Sequence, residues 1–217
     1  MMFISRVELN EYRRDTMKAM GSPQIMHAAV MASFQAFDCV DEGRILWRTD
    51  RIGKILYLLV QSPRKPDFTH IIEQFGRPAT GQGWDTVEYD FHLDKMIKGS
   101  RWIFRLRANP THSVMEEGKS RGKVCHHITA EQQLGWLFEK ASKCGFKLDS
   151  EDGSLGAEIV QREVKKFRRE TKTVTLSVVT FEGVLEVVDP DLFRNSMKNG
   201  IGRAKAYGCG LLTTRGV

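Results

Sequence analysis

Three observations predict an α+β chain built from two βαββαβ units in tandem. The first half reads strand, helix, two strands, helix, strand; the second half repeats that order; and the apolar pattern switches between a period of two and a helical period at the matching places. Residues Phe3–Leu9 open the first unit, with Phe3, Val7 and Leu9 alternating against Arg6 and Glu8. A polar, basic stretch around Arg13, Arg14 and Lys18 follows and is read as a connection. Ser22-Pro23 then supplies an N-cap and a proline at the first helical position. Met26, Val30, Ser33, Phe34 and Phe37 recur at helical spacing, predicting a helix to about residue 37. Strands are predicted at 44–48 and 54–61 around a turn at Gly53, a helix at 67–75 after Pro66, and a strand at 86–93.

The second unit opens on Arg101–Ala108, where Trp102, Phe104 and Leu106 oppose Arg101, Arg105 and Arg107. A loop rich in Gly, Lys and Arg leads to Thr129, whose spacing to Gln132 is that of a capping box. Leu134, Leu137, Phe138 and Ala141 form a helical stripe that stops before Gly145. Strands are predicted at 157–167, 174–181 and 184–188, the last two separated by a turn at Glu182-Gly183. Asp189 and Pro190 open a capped helix carrying Leu192, Phe193 and Met197, which Gly200 closes, and a short strand at 210–213 ends the unit. The expected architecture is two tandem ferredoxin-like (RRM-like) βαββαβ domains, at 1–95 and 96–217.

Composition narrows the function. The 217 residues carry 33 Lys+Arg against 27 Asp+Glu, a formal charge of +6, and 41% are hydrophobic, which suffices for packed cores. The longest apolar run, 55–60, is closed by Lys54 and Gln61, well short of a membrane span. Arg6, Glu8 and Glu11 interrupt the start of the chain, so no signal peptide is read there. Four cysteines without a CxxC pair argue against a disulfide scaffold or zinc ribbon. A soluble, cytoplasmic, mildly basic protein is expected, with no cofactor and no metal.

Three features carry possible chemistry. The first is the segment from Gly200 to Gly210, in which Gly200, Gly202, Gly208 and Gly210 are interleaved with Arg203 and Lys205. Its glycines allow backbone N–H groups near an anion, although it matches neither the dinucleotide fingerprint nor the P-loop; the alternative is a connection that needs left-handed backbone. The second is the run Arg162, Lys165, Lys166, Arg168, Arg169 and Lys172 at the tip between two predicted strands. Such a cationic hairpin suits a nucleic-acid backbone; the alternative is a solvated turn. The arginines of 101–107, the loop Lys119, Arg121 and Lys123, and the net charge favour a polyanionic partner. The third is His27, beside the buried stripe of its helix, where the helix's positive end favours a neutral imidazole able to serve as general base or acid. A solitary histidine at a helix edge is more often a packing residue. Cys125-His126-His127 has poor metal geometry on a strand, and His70, His92 and His112 are isolated in the sequence.

Three blocks are more specific. Phe104-Arg105-Leu106-Arg107-Ala108-Asn109-Pro110, Phe181-Glu182-Gly183-Val184-Leu185 and the run from Gly200 through Gly210 to Leu212 resemble motifs of the CasE (Cse3) family, the CRISPR RNA-processing endoribonucleases of type I-E systems. The resemblance implies two ferredoxin-like domains that bind a CRISPR repeat stem-loop and cut at the 3′ base of its stem without a metal. It implies 5′-hydroxyl and 2′,3′-cyclic phosphate (or 3′-phosphate) ends, and retention of the enzyme on its product among other Cascade subunits. The family's catalytic histidine matches His27, while a tyrosine common three residues earlier falls on Gln24. A glutamine can donate a hydrogen bond to phosphate but cannot shuttle a proton. The implied RNA-binding set is Arg13, Arg14, Lys119, Arg121, Lys123, Arg162, Lys165, Lys166, Arg168, Arg169, Gly202, Arg203 and Lys205. The rival readings are a non-catalytic RNA-binding subunit of the same fold and an enzyme that binds a nucleotide or phosphorylated small molecule in the glycine segment.

Overall fold

A computed structural model of the chain describes residues 1–34, 43–77, 83–115, 122–148 and 156–217. The first unit holds β1 (Phe3–Leu9), α1 (Arg14–Gly21), α2 (Pro23–Ala32), β2 (Leu46–Ile52), β3 (Ile55–Ser62), α3 (Thr69–Phe75) and β4 (Trp84–Glu88). Its strands form one antiparallel sheet in the order β2-β3-β1-β4. With β1 central, Val7 and Leu9 are buried beside Leu58 and Leu56 of β3, and Ala19, Met26, Val30, Ile71 and Phe75 of the helices close over them. The apolar-polar alternation of β1 is thus explained by one covered face.

After α4 (Asp90–Asp94), the second unit comprises β5 (Arg101–Ala108), β6 (Thr111–Val114), β7 (Lys123–His126), α5 (Ala130–Lys143), β8 (Phe146–Lys147), β9 (Ala157–Arg169), β10 (Lys172–Val187), α6 (Pro190–Asn199) and β11 (Leu212–Gly216). A 3₁₀ turn, Lys205–Tyr207, interrupts the glycine segment. The sheet order is β11-β5-β10, with β8 and β9 pairing along the other side of β10. The hairpin β6-β7 stands as a separate two-stranded piece. Both sheets have the ferredoxin-like order, and the fold is α+β as expected.

Local chemistry explains the boundaries. Thr129 and Gln132 form the capping box, Thr129 accepting from the Gln132 N–H at 3.2 Å. Asp189 accepts from the Leu192 N–H at 3.0 Å, and Pro190 takes the first position of α6. Gly53 turns β2 into β3 with φ of 60°.

Several expectations are corrected. The basic stretch at 14–21 is a helix, with only Thr16 and Ala19 buried, too narrow an apolar face to read from spacing. Pro23 does begin α2, but the Ser22 side chain makes no capping bond. That helix stops at Ala32 rather than near 37, because the Ser33 N–H closes back on the Val30 carbonyl and its hydroxyl on the Ala29 carbonyl; Phe37 lies outside the described residues. The strand expected at 86–93 ends at Glu88 and turns into α4, sending Tyr89 and Leu93 into the second core, where Met2 joins them. No turn breaks the chain at Glu182-Gly183: β10 is continuous over its 16 residues. Gly183 instead lets two strands approach, since a Cβ there would lie 2.0 Å from the Gly156 carbonyl oxygen.

The two sheets are joined by a buried cation. Arg48 of β2 is 1% exposed and binds Asp50 at 2.8 Å, the carbonyls of Arg105 and Leu211 at 3.0 and 2.9 Å, and the Thr213 hydroxyl at 2.7 Å. Burial lowers its basicity, and Asp50 acts against that loss. Gln61 of β3 adds a second link, donating to the Met197 carbonyl at 2.8 Å.

Candidate active site

Strand alternation divides the basic run of β9 between two surfaces. Arg162, Val164, Lys166 and Arg168 lie on the exposed face, whereas Glu163, Lys165 and Phe167 turn inward and Arg169 ends the same row. The outer row presents Lys166 and Arg168 to solvent, while Arg162 donates to the Ile128 carbonyl. The inner row meets the first unit: Lys165 donates from Nζ to the Met20 carbonyl of α1 at 3.1 Å. Burial makes this ammonium easier to deprotonate, against the pull of Glu163.

His27 stands on α2 at this junction. Its ring is half-buried, and Nδ1 is enclosed without a hydrogen bond, which leaves Nε2 as the nitrogen meeting solvent. Its pKa lies below the ordinary histidine value, first through burial and second through the positive charge of Arg169. Desolvation and a nearby cation, rather than the helix end invoked from the sequence, are what favour the neutral imidazole here.

The glycine segment supplies the third wall. Tyr207, from its 3₁₀ turn, lines a narrow crevice with Met20, Pro23, Met26 and Lys165. The Tyr207 ring packs edge-on against Phe167 at 4.9 Å, and its hydroxyl accepts from Arg169 Nη1 at 3.2 Å. The segment is seated firmly: Gly208, at φ of 77°, lies on Trp47, and a Cβ there would come within 2.9 Å of the indole. Lys205 and Arg203 face away toward α5, where Lys140, Lys143 and Trp136 complete a cleft with Gly200 and Gly202.

The assembled set is one imidazole, two cations and a phenol, a combination suited to proton transfer beside a phosphate. A family model described as CRISPR associated protein matches residues 2–215. The chain belongs to that CRISPR-associated family. A relative from Thermus thermophilus, CRISPR-associated endoribonuclease Cse3, is 28% identical over 98% of this chain and 99% of its own. The Escherichia coli Cascade subunit CasE is 27% identical over 71% of this chain and 78% of its own. Among solved structures, Thermus thermophilus Cse3 bound to an RNA representing a pre-cleavage complex has a TM-score of 0.81 and 27% identity, covering 99% of this chain and 98% of that one.

For this CRISPR-associated chain, the structure brings together only part of the residue set expected from sequence. Arg169 acts on His27, and Lys165 lines the crevice beside Met26, the residue before it; Gln24 is partly buried one helical turn before His27. Arg13 is engaged elsewhere, donating to the Gly76 carbonyl at 3.3 Å, and Arg14 is exposed at the start of α1. Lys123 is exposed on β7, and Lys119 and Arg121 lie outside the described residues.

The arginines of β5 are corrected. Arg105 is paired with Glu182 and Asp50, and Arg107 with Glu163, so these two belong to an internal ion network rather than to a polyanion surface. His112 is not isolated either, because its ring lies 4.6 Å from that of His127. His126 meets Asn109 at 3.0 Å, and among the described residues no group of three His, Cys, Asp or Glu is placed to hold a metal. Sequence reasoning assigned no role to Tyr207, although it sits within the quoted glycine segment. Its only signal in the sequence was an aromatic side chain directly before Gly208 in that segment.

Proposed function

We propose that this chain is a CRISPR RNA-processing endoribonuclease that binds the stem-loop of a CRISPR repeat and cuts at the 3′ base of the stem. The observation that carries the reading is His27 within the field of Arg169, beside the crevice that Lys165 lines and next to the exposed row Lys166 and Arg168, in a chain of the CRISPR-associated family. RNA brings its own nucleophile, the 2′-hydroxyl beside the scissile phosphate. The protein must hold it in line, move a proton and offset negative charge.

In this reading the neutral His27 imidazole takes the 2′-hydroxyl proton as the 2′-oxygen bonds to phosphorus. The bond from phosphorus to the 5′-oxygen breaks, and the departing oxygen takes a proton from solvent water, to which the imidazolium gives up its own. The products end in a 2′,3′-cyclic phosphate (or the 3′-phosphate derived from it) and a 5′-hydroxyl. Lys165 and Arg169 offset the charge that gathers on the phosphoryl oxygens, and Gln24 offers an amide donor to phosphate. Lys166, Arg168, Arg162 and Lys123 follow the RNA backbone; Gly202, Arg203 and Lys205 hold phosphate on the far side of the glycine segment, and Arg14 extends the basic surface at α1.

The enzyme stays on its product in the cytoplasm and joins other Cascade subunits, the last supported by its similarity to the Escherichia coli Cascade subunit CasE. Among the described residues no helix is long and apolar enough to cross a membrane. The test is incubation of the protein with its own repeat transcript in chelator, with mapping of product ends. Wild type is expected to cut and His27→Ala to bind without cutting. A substrate with a 2′-deoxy nucleotide 5′ of the cut should bind and remain whole; its cleavage, or fragments ending in 3′-hydroxyls, would refute the mechanism.

A further inference from the structure

Arg169 ends β9 on an exposed hairpin tip, and no carboxylate among the described residues forms an ion pair with it. A long cationic side chain in that position ordinarily samples many rotamers. Here one of its N–H groups is held at 3.2 Å by the Tyr207 hydroxyl. The phenol is itself held from three sides. Phe167, two residues before Arg169 on the same face of β9, packs against the ring at 4.9 Å. The crevice residues Met20, Pro23 and Met26 bring α1 and α2 against it. The backbone around it is fixed by the left-handed Ala204 and Gly208, and by the Gly210 N–H bound to the Arg107 carbonyl at 2.7 Å.

A neutral acceptor has a particular use here. A carboxylate in this place would orient the guanidinium and also neutralise it. A phenol engages one of the five guanidinium N–H groups and leaves the charge and the other donors available to a phosphate. Met26 of the same crevice immediately precedes His27, and Arg169 is the charge whose field acts on that imidazole.

We infer that Tyr207 is a positioning residue for RNA cleavage, aiming the Arg169 guanidinium at the phosphate beside His27 without quenching its charge. This rests on the ribonuclease reading above. The charged and titratable groups around the junction are His27 from α2, Glu163, Lys165 and Arg169 from β9, Arg107 from β5, and Tyr207 and Cys209 from the glycine segment.

The test is single-turnover cleavage of the protein's own repeat RNA by wild type, Tyr207→Phe, Arg169→Gln and the double variant. The phenylalanine keeps the ring packed, and unchanged thermal melting confirms intact folding. Tyr207→Phe should slow cleavage about tenfold, the kinetic equivalent of one lost hydrogen bond, while RNA affinity stays within about twofold. The double variant should be no slower than Arg169→Gln alone. The acidic limb of the rate profile should move to higher pH in both single variants, as the cation leaves His27. A wild-type rate in Tyr207→Phe, or losses that multiply in the double variant, overturns the inference. If wild type fails to cut, or His27→Ala cuts normally, the ribonuclease reading fails and takes this inference with it.

Discussion

At the scale of single residues, the proposed chemistry is set by what surrounds His27. Burial and Arg169 both disfavour imidazolium, so the free base persists to lower pH than for an exposed histidine. Cleavage should therefore hold its rate as pH falls through about 6.5, the ordinary histidine value, and decline only below it. Arg169→Gln removes one depressing charge, raises the pKa of His27 and should shift that decline toward neutral pH. A pH–rate series under single-turnover conditions measures both limbs; an unshifted profile would separate Arg169 from the imidazole. The histidine was legible in the sequence, and its environment was not. Lys165 and Arg169 are 138 and 142 positions away from it along the chain, so no local pattern signals their approach.

Elements decide which of the basic residues are free to bind. Alternation along β9 sends Lys166 and Arg168 outward and Lys165 inward to the Met20 carbonyl, so one charge run serves two purposes. Lys166→Ala and Arg168→Ala should each weaken RNA binding and lower the salt slope by about one, without changing the cleavage rate of bound RNA. Binding titrations at several salt concentrations check this, and an unchanged slope would remove that row from the RNA contact. The same alternation, read on β5, suggested a basic surface and misled. The sequence does not reveal that Glu182, Asp50 and Glu163 meet Arg105 and Arg107 across strands and units. Gly183 is a comparable case: two residues that resemble a turn permit the close approach of β9 to β10. Gly183→Ala should cost about 1–3 kcal/mol of stability by forcing those backbones apart, measurable by urea unfolding.

For the whole molecule, the site exists only while the two units stay in register. Arg48 carries much of that constraint, because its guanidinium binds Asp50 and three acceptors on the second unit. Arg48→Met keeps the volume but leaves Asp50 with Arg105 as its one remaining cation and takes the guanidinium from the carbonyls of Arg105 and Leu211. It should destabilise the protein by about 3–5 kcal/mol and slow cleavage even at temperatures where the chain stays folded. Denaturant unfolding beside single-turnover rates tests this; unaltered stability would show that other contacts hold the units together. Neither the depth of Arg48 nor its acceptors could be read from β2, since a lone arginine in a strand ordinarily faces water.

Local chemistry made much of this protein readable from its residues. The doubled element order, the caps at Thr129 and Asp189, the start of α2 at Pro23, the cationic β9-β10 hairpin and the histidine on α2 all depend on neighbours a few positions apart. Tertiary structure decided which cations are spent on internal carboxylates and which face solvent. It also decided that a tyrosine from the glycine segment meets an arginine from β9 beside the imidazole. Those outcomes depend on how two sheets dock, and docking joins residues whose separation in the chain carries no periodic signal.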